Sequence, residues 1–300
     1  MTRAFPVSLT LMAATSWAIA TVLTKVALDE LAPLDVLEIE LSSSALAMGL
    51  LLAARGRPFL PKAWPVFAAI GMLEPGLSFG LFDFGLARTG AADGAILIAS
   101  QSLFGVLLAR VLLGERISTL TRAAVLAGFV GSALVGLAES GHGTTLGGDL
   151  LVLAASAAAA AAGVGVRRMS AQADNLAATT TQLMAAALVA VPLILVADSG
   201  GGSELAAADR FHVLAAVATG LLGGAVPFLA FNLAIRDLTV AHAGLILNLI
   251  PVLAAAIAVA TLGERLSWPE IIGGALVIGA VTAAAGFDAR RERRAATMAC

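Results

Sequence analysis

The feature that most constrains this chain is the recurrence of long apolar segments with only short polar stretches between them. Each segment has about twenty residues, the length that a helix needs to cross the roughly 30 Å hydrocarbon core of a bilayer. They lie at roughly 7–27, 35–54, 65–87, 91–113, 118–138, 148–168, 175–197, 211–235, 240–262 and 267–287. Backbone groups in lipid must be hydrogen-bonded within the protein, so such segments are expected to be helices. The sequence therefore predicts an all-α integral membrane protein with ten transmembrane helices.

The composition excludes several other classes of protein. Hydrophobic residues make up 59% of the chain and charged residues 13%, whereas ordinary soluble domains have about 25% charged residues. The net charge is -2, and Lys and Arg lie between the apolar segments instead of on one face, so no nucleic-acid partner is expected. Cys300 is the only cysteine, which excludes an intramolecular disulfide and a thiolate metal cluster. We therefore expect neither a metal nor a cofactor.

The distribution of basic residues predicts the orientation of the chain. If ten helices alternate in direction, one side of the membrane has only a few of the 18 Lys and Arg residues, namely Lys25, Arg88, Arg210 and Arg265. Basic residues near helix ends collect on the cytoplasmic side of membrane proteins. This bias places both termini in the cytoplasm and requires an even number of helices. We expect a multi-pass protein of a bacterial inner membrane.

An internal repeat divides the chain into two halves. Leu113-Gly-Glu-Arg116 recurs 149 residues later as Leu262-Gly-Glu-Arg265, each time after the fourth predicted helix of a set of five. Because five is odd, the second set would start on the opposite side of the membrane from the first. Such inverted repeats are typical of secondary transporters. We predict repeats at 1–140 and 141–288, followed by a basic cytoplasmic tail at 289–300.

Glycine and proline interrupt corresponding helices of the two halves. Breaks of this kind are a sequence signature of transporter sites, because proline removes a backbone donor and freed carbonyls can face a cavity. The alternative is that both residues are simply common in membrane helices. The predicted hinge or cavity residues are Pro75 and Gly76 in the third helix, Gly223, Gly224 and Pro227 in the eighth, and Pro251 in the ninth.

Polar and aromatic residues near the middle of the predicted helices are the candidates for substrate contact. A carboxylate at that depth is costly and normally faces a cavity or a partner. Uncharged amides supply both donors and acceptors, which suits a zwitterion. The alternatives are a protonated structural acid, hydroxyls bonded to their own helix, and hydrogen bonds between helices. The candidates are Trp17, Thr21, Glu74, Ser78, Gln101 and Asn248.

Several motifs resemble the drug/metabolite transporter superfamily, specifically its ten-helix EamA-type branch. They are the two Leu-Gly-Glu-Arg copies with the glycines that follow them, the pairs Ser16-Trp17 and Thr24-Lys25, and Pro33 at the start of the second helix. The resemblance implies a carrier whose central cavity is lined by helices 1, 3, 4, 6, 8 and 9. Amino-acid exporters, including those for aromatic amino acids, are prominent in this branch. The resemblance implies a basic residue seven residues after Pro33, but this chain has Glu40 there.

These observations together predict a secondary transporter and not an enzyme. We expect it to export or exchange a small metabolite, in particular neutral or aromatic amino acids, by alternating access. No Gly-x-x-x-x-Gly-Lys-Ser/Thr loop is present, so ATP would not drive transport. The alternatives are a multidrug or a nucleotide-sugar or sugar-phosphate transporter of the same superfamily, a channel, and a membrane-embedded enzyme. The expected partners are a small-molecule substrate and the lipid bilayer, and the expected state is a monomer, with a homodimer as the alternative.

Overall fold

The computed structural model describes residues 4–86, 88, 97–115, 117–138, 145–169, 174–197, 209–262, 268–269 and 271–283, and within them the regular structure is helical. The helices are α1 (Ala4–Ala27), α2 (Pro33–Ala54), α3 (Trp64–Gly71), α4 (Ser78–Leu86), α5 (Gln101–Leu112), α6 (Thr119–Ala138), α7 (Leu146–Met169), α8 (Asn175–Ala197), α9 (Arg210–Thr219), α10 (Val226–Ala234), α11 (Val240–Leu247), α12 (Leu249–Leu262) and α13 (Ile271–Ala283).

Five helices are long and apolar enough to cross a membrane, counting the described residues only. Two of them are composite, because α3 continues into α4 and α9 continues into α10. Shorter apolar helices lie in four of the remaining predicted segments, and the 23-residue helix α8 lies in the fifth. The five long ones are Ala4–Ala27, Pro33–Ala54, Trp64–Gly85, Leu146–Met169 and Arg210–Ala234. The predicted all-helical membrane fold is therefore confirmed, while the number of membrane crossings stays a prediction.

Wide helical turns interrupt the third and eighth predicted segments. Met72–Leu77 joins α3 to α4, and Gly220–Ala225 joins α9 to α10. In the first turn Glu74 leaves the helical conformation, with φ -148° and ψ 121°, and Pro75 follows it. The second turn contains Gly223 and Gly224. Proline lacks the amide hydrogen, and glycine weakens helical propensity, so both sequences loosen the regular hydrogen-bond ladder where the chain widens.

The ninth predicted segment is also interrupted, at Asn248. This residue separates α11 from α12. Pro251 lies three residues further on and has no amide hydrogen to donate to the carbonyl of Leu247, four residues back. The break therefore has the same local cause as the one beside Pro75.

The two halves of the chain are packed into each other. The most extensive contacts between helices pair α2 with α8, α4 with α7, and α1 with α10, and each pair joins one half to the other. Glycine also permits close backbone approaches between the halves. A Cβ atom on Gly220 would lie 2.5 Å from the carbonyl oxygen of Glu40 in α2. The centre of the protein is thus an interface between halves and not the core of either half.

The outer surface of the bundle is apolar. Large aliphatic side chains lie exposed one helical turn apart, as at Leu46 and Leu50 of α2 and at Leu107 and Val111 of α5. Leu188 of α8 is 73% exposed. Continuous apolar surface of this kind is unfavourable in water and suits contact with lipid chains.

Ion pairs join the connections at one end of the bundle. Arg57 lies 3.4 Å from Asp174, and Arg167 lies 3.5 Å from Glu115. Arg167 also donates to the backbone carbonyl of Arg236. We call this end, marked by Arg57, Arg167 and Arg236, the arginine-rich end.

The first three residues of the first Leu-Gly-Glu-Arg copy lie at this end of the bundle, and Arg116 lies outside the described residues. Gly114 has φ +66°, a conformation that favours glycine, and Glu115 supplies the partner of Arg167. The second copy lies outside the described residues, apart from the backbone of Leu262. The described copy forms a turn and an ion pair, which is a structural role.

Different contacts hold the opposite end together. Glu30 lies 3.2 Å from Nδ1 of His212, and the hydroxyl of Thr145 donates to the carbonyl of Arg88 at 2.9 Å. These residues come from the connections that alternate along the sequence with those of the arginine-rich end. The contacts at both ends therefore agree with helices that alternate in direction.

Candidate functional site

A cavity lies between the two halves, with about 330 Å³ of empty volume when the adjoining space open to solvent is included. Helices α1, α3, α5, α7, α8, α10 and α11 contribute to its wall, together with the turn that contains Glu74. The lining residues are Trp17, Ile70, Glu74, Gln101, Ala162, Gly163, Val166, Gln182, Phe228, Phe231, Asn232 and Leu247. The cavity therefore brings together side chains that are up to 230 residues apart in the sequence.

Glu74 reaches the cavity from the break between α3 and α4. Its extended backbone conformation interrupts the regular helix, and Pro75 directly after it is buried. None of the twelve lining residues is Lys, Arg or His. Glu74 is also the only acidic residue among them, so it defines the charge that the cavity wall can carry.

Trp17 connects α1 to the break between α9 and α10. Its indole nitrogen Nε1 donates to the carbonyl of Gly223 at 2.8 Å, and the hydroxyl of Ser16 donates to the carbonyl of Leu222 at 2.5 Å. Carbonyls in a widened helical turn are thus bonded by side chains from the other half. Since its N–H group is already used, Trp17 offers the cavity an aromatic surface and not a donor.

Aromatic rings surround Trp17 on the cavity wall. The centroid of its ring lies 5.7 Å from that of Phe228 and 5.9 Å from that of Phe231, both in edge-on arrangements. Phe79 continues the group, at 6.0 Å from Phe228. Edge-to-face pairs at these separations stabilise one another and keep their rings in place. The cavity therefore has one rigid aromatic wall.

Small residues of α7 also line the cavity. They include Ala162 and Gly163, and a Cβ atom on Gly163 would lie 3.9 Å from the ring of Phe231, which is van der Waals contact. The small side chains of this helix therefore let it lie close to the aromatic group.

Three candidates for substrate contact lie outside this cavity wall. Thr21 donates to the carbonyl of Trp17 at 2.9 Å, within its own helix. Ser78 is buried at the start of α4. Asn248 is buried where α11 meets α12, and its Nδ2 atom lies 2.6 Å from the position that a Cβ atom on Gly128 would occupy. Trp17, Glu74 and Gln101 are the three candidates that the structure brings together.

The predicted hinge residues lie at the breaks and not on the cavity wall. Pro75 and Gly76 belong to the first wide turn, and Gly223 and Gly224 to the second. Pro227 is the second residue of α10, and Pro251 lies near the start of α12. Their positions next to lining residues suit a role in shaping the cavity.

The sequence analysis did not single out Gln182, Phe228 and Phe231, which line the cavity. Gln182 ends the polar run Thr179-Thr-Thr-Gln182 in α8. Such a run inside an apolar segment is a signal that could have found it, because polar side chains in membrane helices usually face the protein interior. The two phenylalanines carry no comparable signal, since apolar residues also face lipid.

The amides of Gln182 and Asn232 belong to one hydrogen-bond network. Nδ2 of Asn232 donates to Oε1 of Gln182 at 2.7 Å and to the hydroxyl of Thr179 at 2.8 Å. Asn175 donates to the carbonyl of Asn232 at 3.3 Å. These bonds connect α8 to α10 at the edge of the cavity.

A pair of buried carboxylates lies away from the cavity wall. Glu40 of α2 and Asp83 of α4 are 5% and 3% exposed. The hydroxyl of Thr24 donates to Oε1 of Glu40 at 3.4 Å. Glu40 therefore contributes to the packing of α1 against α2 and not to the lining of the cavity.

The site combines one carboxylate, three amides and an aromatic wall in a partly enclosed space between the halves. A carboxylate can accept hydrogen bonds from an ammonium group, and amides can donate to a carboxylate or accept from an amine. Phosphate groups are normally bound by Arg, Lys or helix N-termini. The side chains of this cavity thus suit an amine-bearing organic molecule better than a phosphorylated one.

Comparisons with known proteins show which sequence family and which fold the chain resembles. The sequence model of the EamA-like transporter family matches the chain twice, at residues 4–137 and 146–285. A relative from Streptantibioticus cattleyicolor, described as a probable terminal-alkyne amino-acid exporter, is 27% identical over 284 residues, which is 94% of each chain. A solved structure, described only as a crystal structure of a protein, is similar with a TM-score of 0.82 and 19% identity. It covers 96% of this chain and 98% of its own length, and the likeness shows the fold.

Proposed function

This chain belongs to the EamA-like transporter family, and from that premise we propose that it is a secondary transporter of neutral or aromatic amino acids. It is a multi-pass membrane transporter of the drug/metabolite superfamily, as its sequence motifs indicated, and not a member of an enzyme family. In our proposal the substrate binds in the cavity between the halves and is exported or exchanged by alternating access.

The observation that carries the proposed substrate class is the composition of the cavity wall. Glu74 supplies the acceptor for an ammonium group, and Trp17, Phe228 and Phe231 supply a surface for an apolar or aromatic side chain. The lack of a basic residue among the lining residues argues against sugar phosphates and nucleotide sugars. The description of the relative as an amino-acid exporter points to the same class of substrate.

Cationic drugs are the second candidate substrates, because the same cavity wall also suits them. A carboxylate beside aromatic rings also binds organic cations, by charge and by cation–π contact. The amides Gln101, Gln182 and Asn232 favour the amino acids, because a simple organic cation has no carboxylate to accept from them.

Alternating access is supported by where the cavity lies. Val166 and Asn232 line it close to the ends of α7 and α10, which reach the arginine-rich end. Towards the opposite end, the turn Gly220–Ala225 is bonded to Ser16 and Trp17 and packed against α2. In our proposal this conformation faces the arginine-rich side, and release requires the contacts of this turn with α1 and α2 to separate.

We expect purified protein in liposomes to show saturable counterflow of neutral and aromatic amino acids, because a carrier binds and releases its substrate on both sides. The measurement is uptake of labelled phenylalanine into vesicles preloaded with unlabelled substrate, beside cationic drugs and nucleotide sugars. Vesicles preloaded with buffer are the control. Uptake of drugs alone would favour the second candidate, non-saturable flux would indicate a channel, and uptake of no amino acid would overturn the proposed substrate class.

The proposed topology has ten spans with both termini in the cytoplasm of a bacterial cell, and Cys300 makes it testable. We expect a membrane-impermeant maleimide to label Cys300, the only cysteine, in permeabilised cells but not in intact ones. The control is Gly147→Cys in a Cys300→Ser background, since Gly147 lies exposed at the opposite end with open space around it. That variant should be labelled in intact cells. Labelling of Cys300 in intact cells would contradict the topology.

A further inference from the structure

Gln182 is the most completely buried polar side chain of the cavity wall. It lies in the first half of α8 and is 1% exposed. The residues around it in that helix are largely buried as well, so the cavity is the open space that its amide borders. What its amide can donate or accept therefore bears directly on what the cavity can bind.

The network with Asn232 determines which end of the Gln182 amide is available. Oε1 accepts from Nδ2 of Asn232 at 2.7 Å. Asn232 uses its second amide hydrogen on the hydroxyl of Thr179, one turn before Gln182. With the oxygen held by α10, the atom of this amide that has no partner among the described residues is Nε2, a donor on a residue that lines the cavity.

Nε2 of Gln182 has no hydrogen-bond partner among the described residues. A buried donor without an acceptor costs free energy, and an acceptor on a bound molecule would recover it. Because an amide nitrogen can only donate, the group that fits is a carboxylate or carbonyl oxygen. An occupant with such an oxygen would therefore suit this side of the site.

The backbone holds Gln182 and Glu74 in a defined relation. A Cβ atom on Gly71 would lie 2.1 Å from the carbonyl oxygen of Gln182, so α3 and α8 touch through their backbones at this point. Glu74 follows Gly71 by three residues, in the turn at the end of α3. Gln182 and Glu74 therefore both lie near this backbone contact, and both line the cavity.

We propose that Nε2 of Gln182 donates to the carboxylate of the substrate while Glu74 accepts from its ammonium group. The inference rests on the proposed function and sharpens it, because it makes the transporter specific for molecules that carry both groups. Gln182 then determines the preference for amino acids over amines that lack a carboxylate. An uncharged donor holds the carboxylate without a full ion pair, which suits a carrier that must also release its substrate.

The test compares phenylalanine with phenethylamine, its analogue without the carboxylate, in counterflow by wild type and by Gln182→Leu. We expect Gln182→Leu to raise KM for phenylalanine about tenfold or more, the effect of losing a hydrogen bond to a charged group. KM for phenethylamine should change by less than about twofold, since the amine never used this donor. An equal loss for both substrates, or no loss for phenylalanine, would overturn the role of Gln182.

Two further variants keep the result interpretable if the leucine variant folds poorly. Gln182→Glu conserves the shape but places a carboxylate beside that of the substrate, so phenylalanine transport should fall more than phenethylamine transport. Thr181→Val is the matched control, because Thr181 is a buried neighbour on α8 that donates to Ala177 within its own helix. It should transport both substrates as wild type does. Wild-type protein that moves neither substrate would overturn the proposed function itself, and this inference with it.

Discussion

Replacing Glu74 with Gln is expected to lower kcat/KM for phenylalanine counterflow by about ten- to a hundredfold, the range of a lost hydrogen bond to a charged group. The amide keeps the size of the side chain but removes the only acid from the cavity wall. The substrate ammonium would then enter a partly enclosed space without a countercharge. Initial rates over a range of substrate concentrations measure the change.

Glu38→Gln is the matched control for this experiment. Glu38 also lies in an apolar helix and is half-buried, but it does not line the cavity. We expect transport by this variant to equal that of wild type. If Glu74→Gln transported phenylalanine at the wild-type rate and with the same pH dependence, Glu74 would have no role in binding or in proton coupling.

Replacing Gly71 with Ala is expected to destabilise the protein by about 3 kcal/mol, the upper range for overpacking a close contact. The added methyl group would lie 2.1 Å from the carbonyl oxygen and 2.4 Å from the Cα atom of Gln182. Backbone atoms cannot rotate away as a side chain can, so α3 would have to move away from α8. Transport should fall as well, because that movement separates Glu74 from Gln182.

Thermal unfolding of the detergent-solubilised protein measures this effect. The control is Gly279→Ala in α13, where an added Cβ atom meets nothing within 4 Å. Since alanine favours a helix over glycine by roughly 1 kcal/mol, this variant should be as stable as wild type or slightly more so. An unchanged Tm for Gly71→Ala would show that the backbone contact between α3 and α8 does not constrain the site.

The contacts of Trp17 change the role that its position in the sequence suggested. Its place at the middle of α1 favoured a cavity wall, and the ring does line the cavity. In addition, the hydrogen bond from Trp17 to Gly223 attaches α1 to the interrupted segment of the other half. A residue that contributes to the cavity and to the contact between halves can couple occupation of the site to their relative movement, as alternating access requires.

The sequence by itself determined the features of this protein that depend on local chemistry. Segment length and apolarity specified helices in lipid, and the placement of glycine and proline specified the breaks around Pro75 and Gly223. The repeated Leu-Gly-Glu-Arg motif indicated the family, which the match over both halves confirms. The structure has these features because each of them depends on residues that are close together in the chain.

Only the tertiary structure decided which polar residues share the cavity. Gln101 and Asn248 are both amides within apolar segments, yet Gln101 lines the cavity and Asn248 packs against Gly128. Gln182 is placed in the site by its contacts with Asn232 and Gly71, which are far from it in the sequence. The physical reason is that lipid and protein interior are both apolar, so the hydrophobic pattern of such a helix does not reveal which face turns inward. That rotation is decided by close packing between the halves.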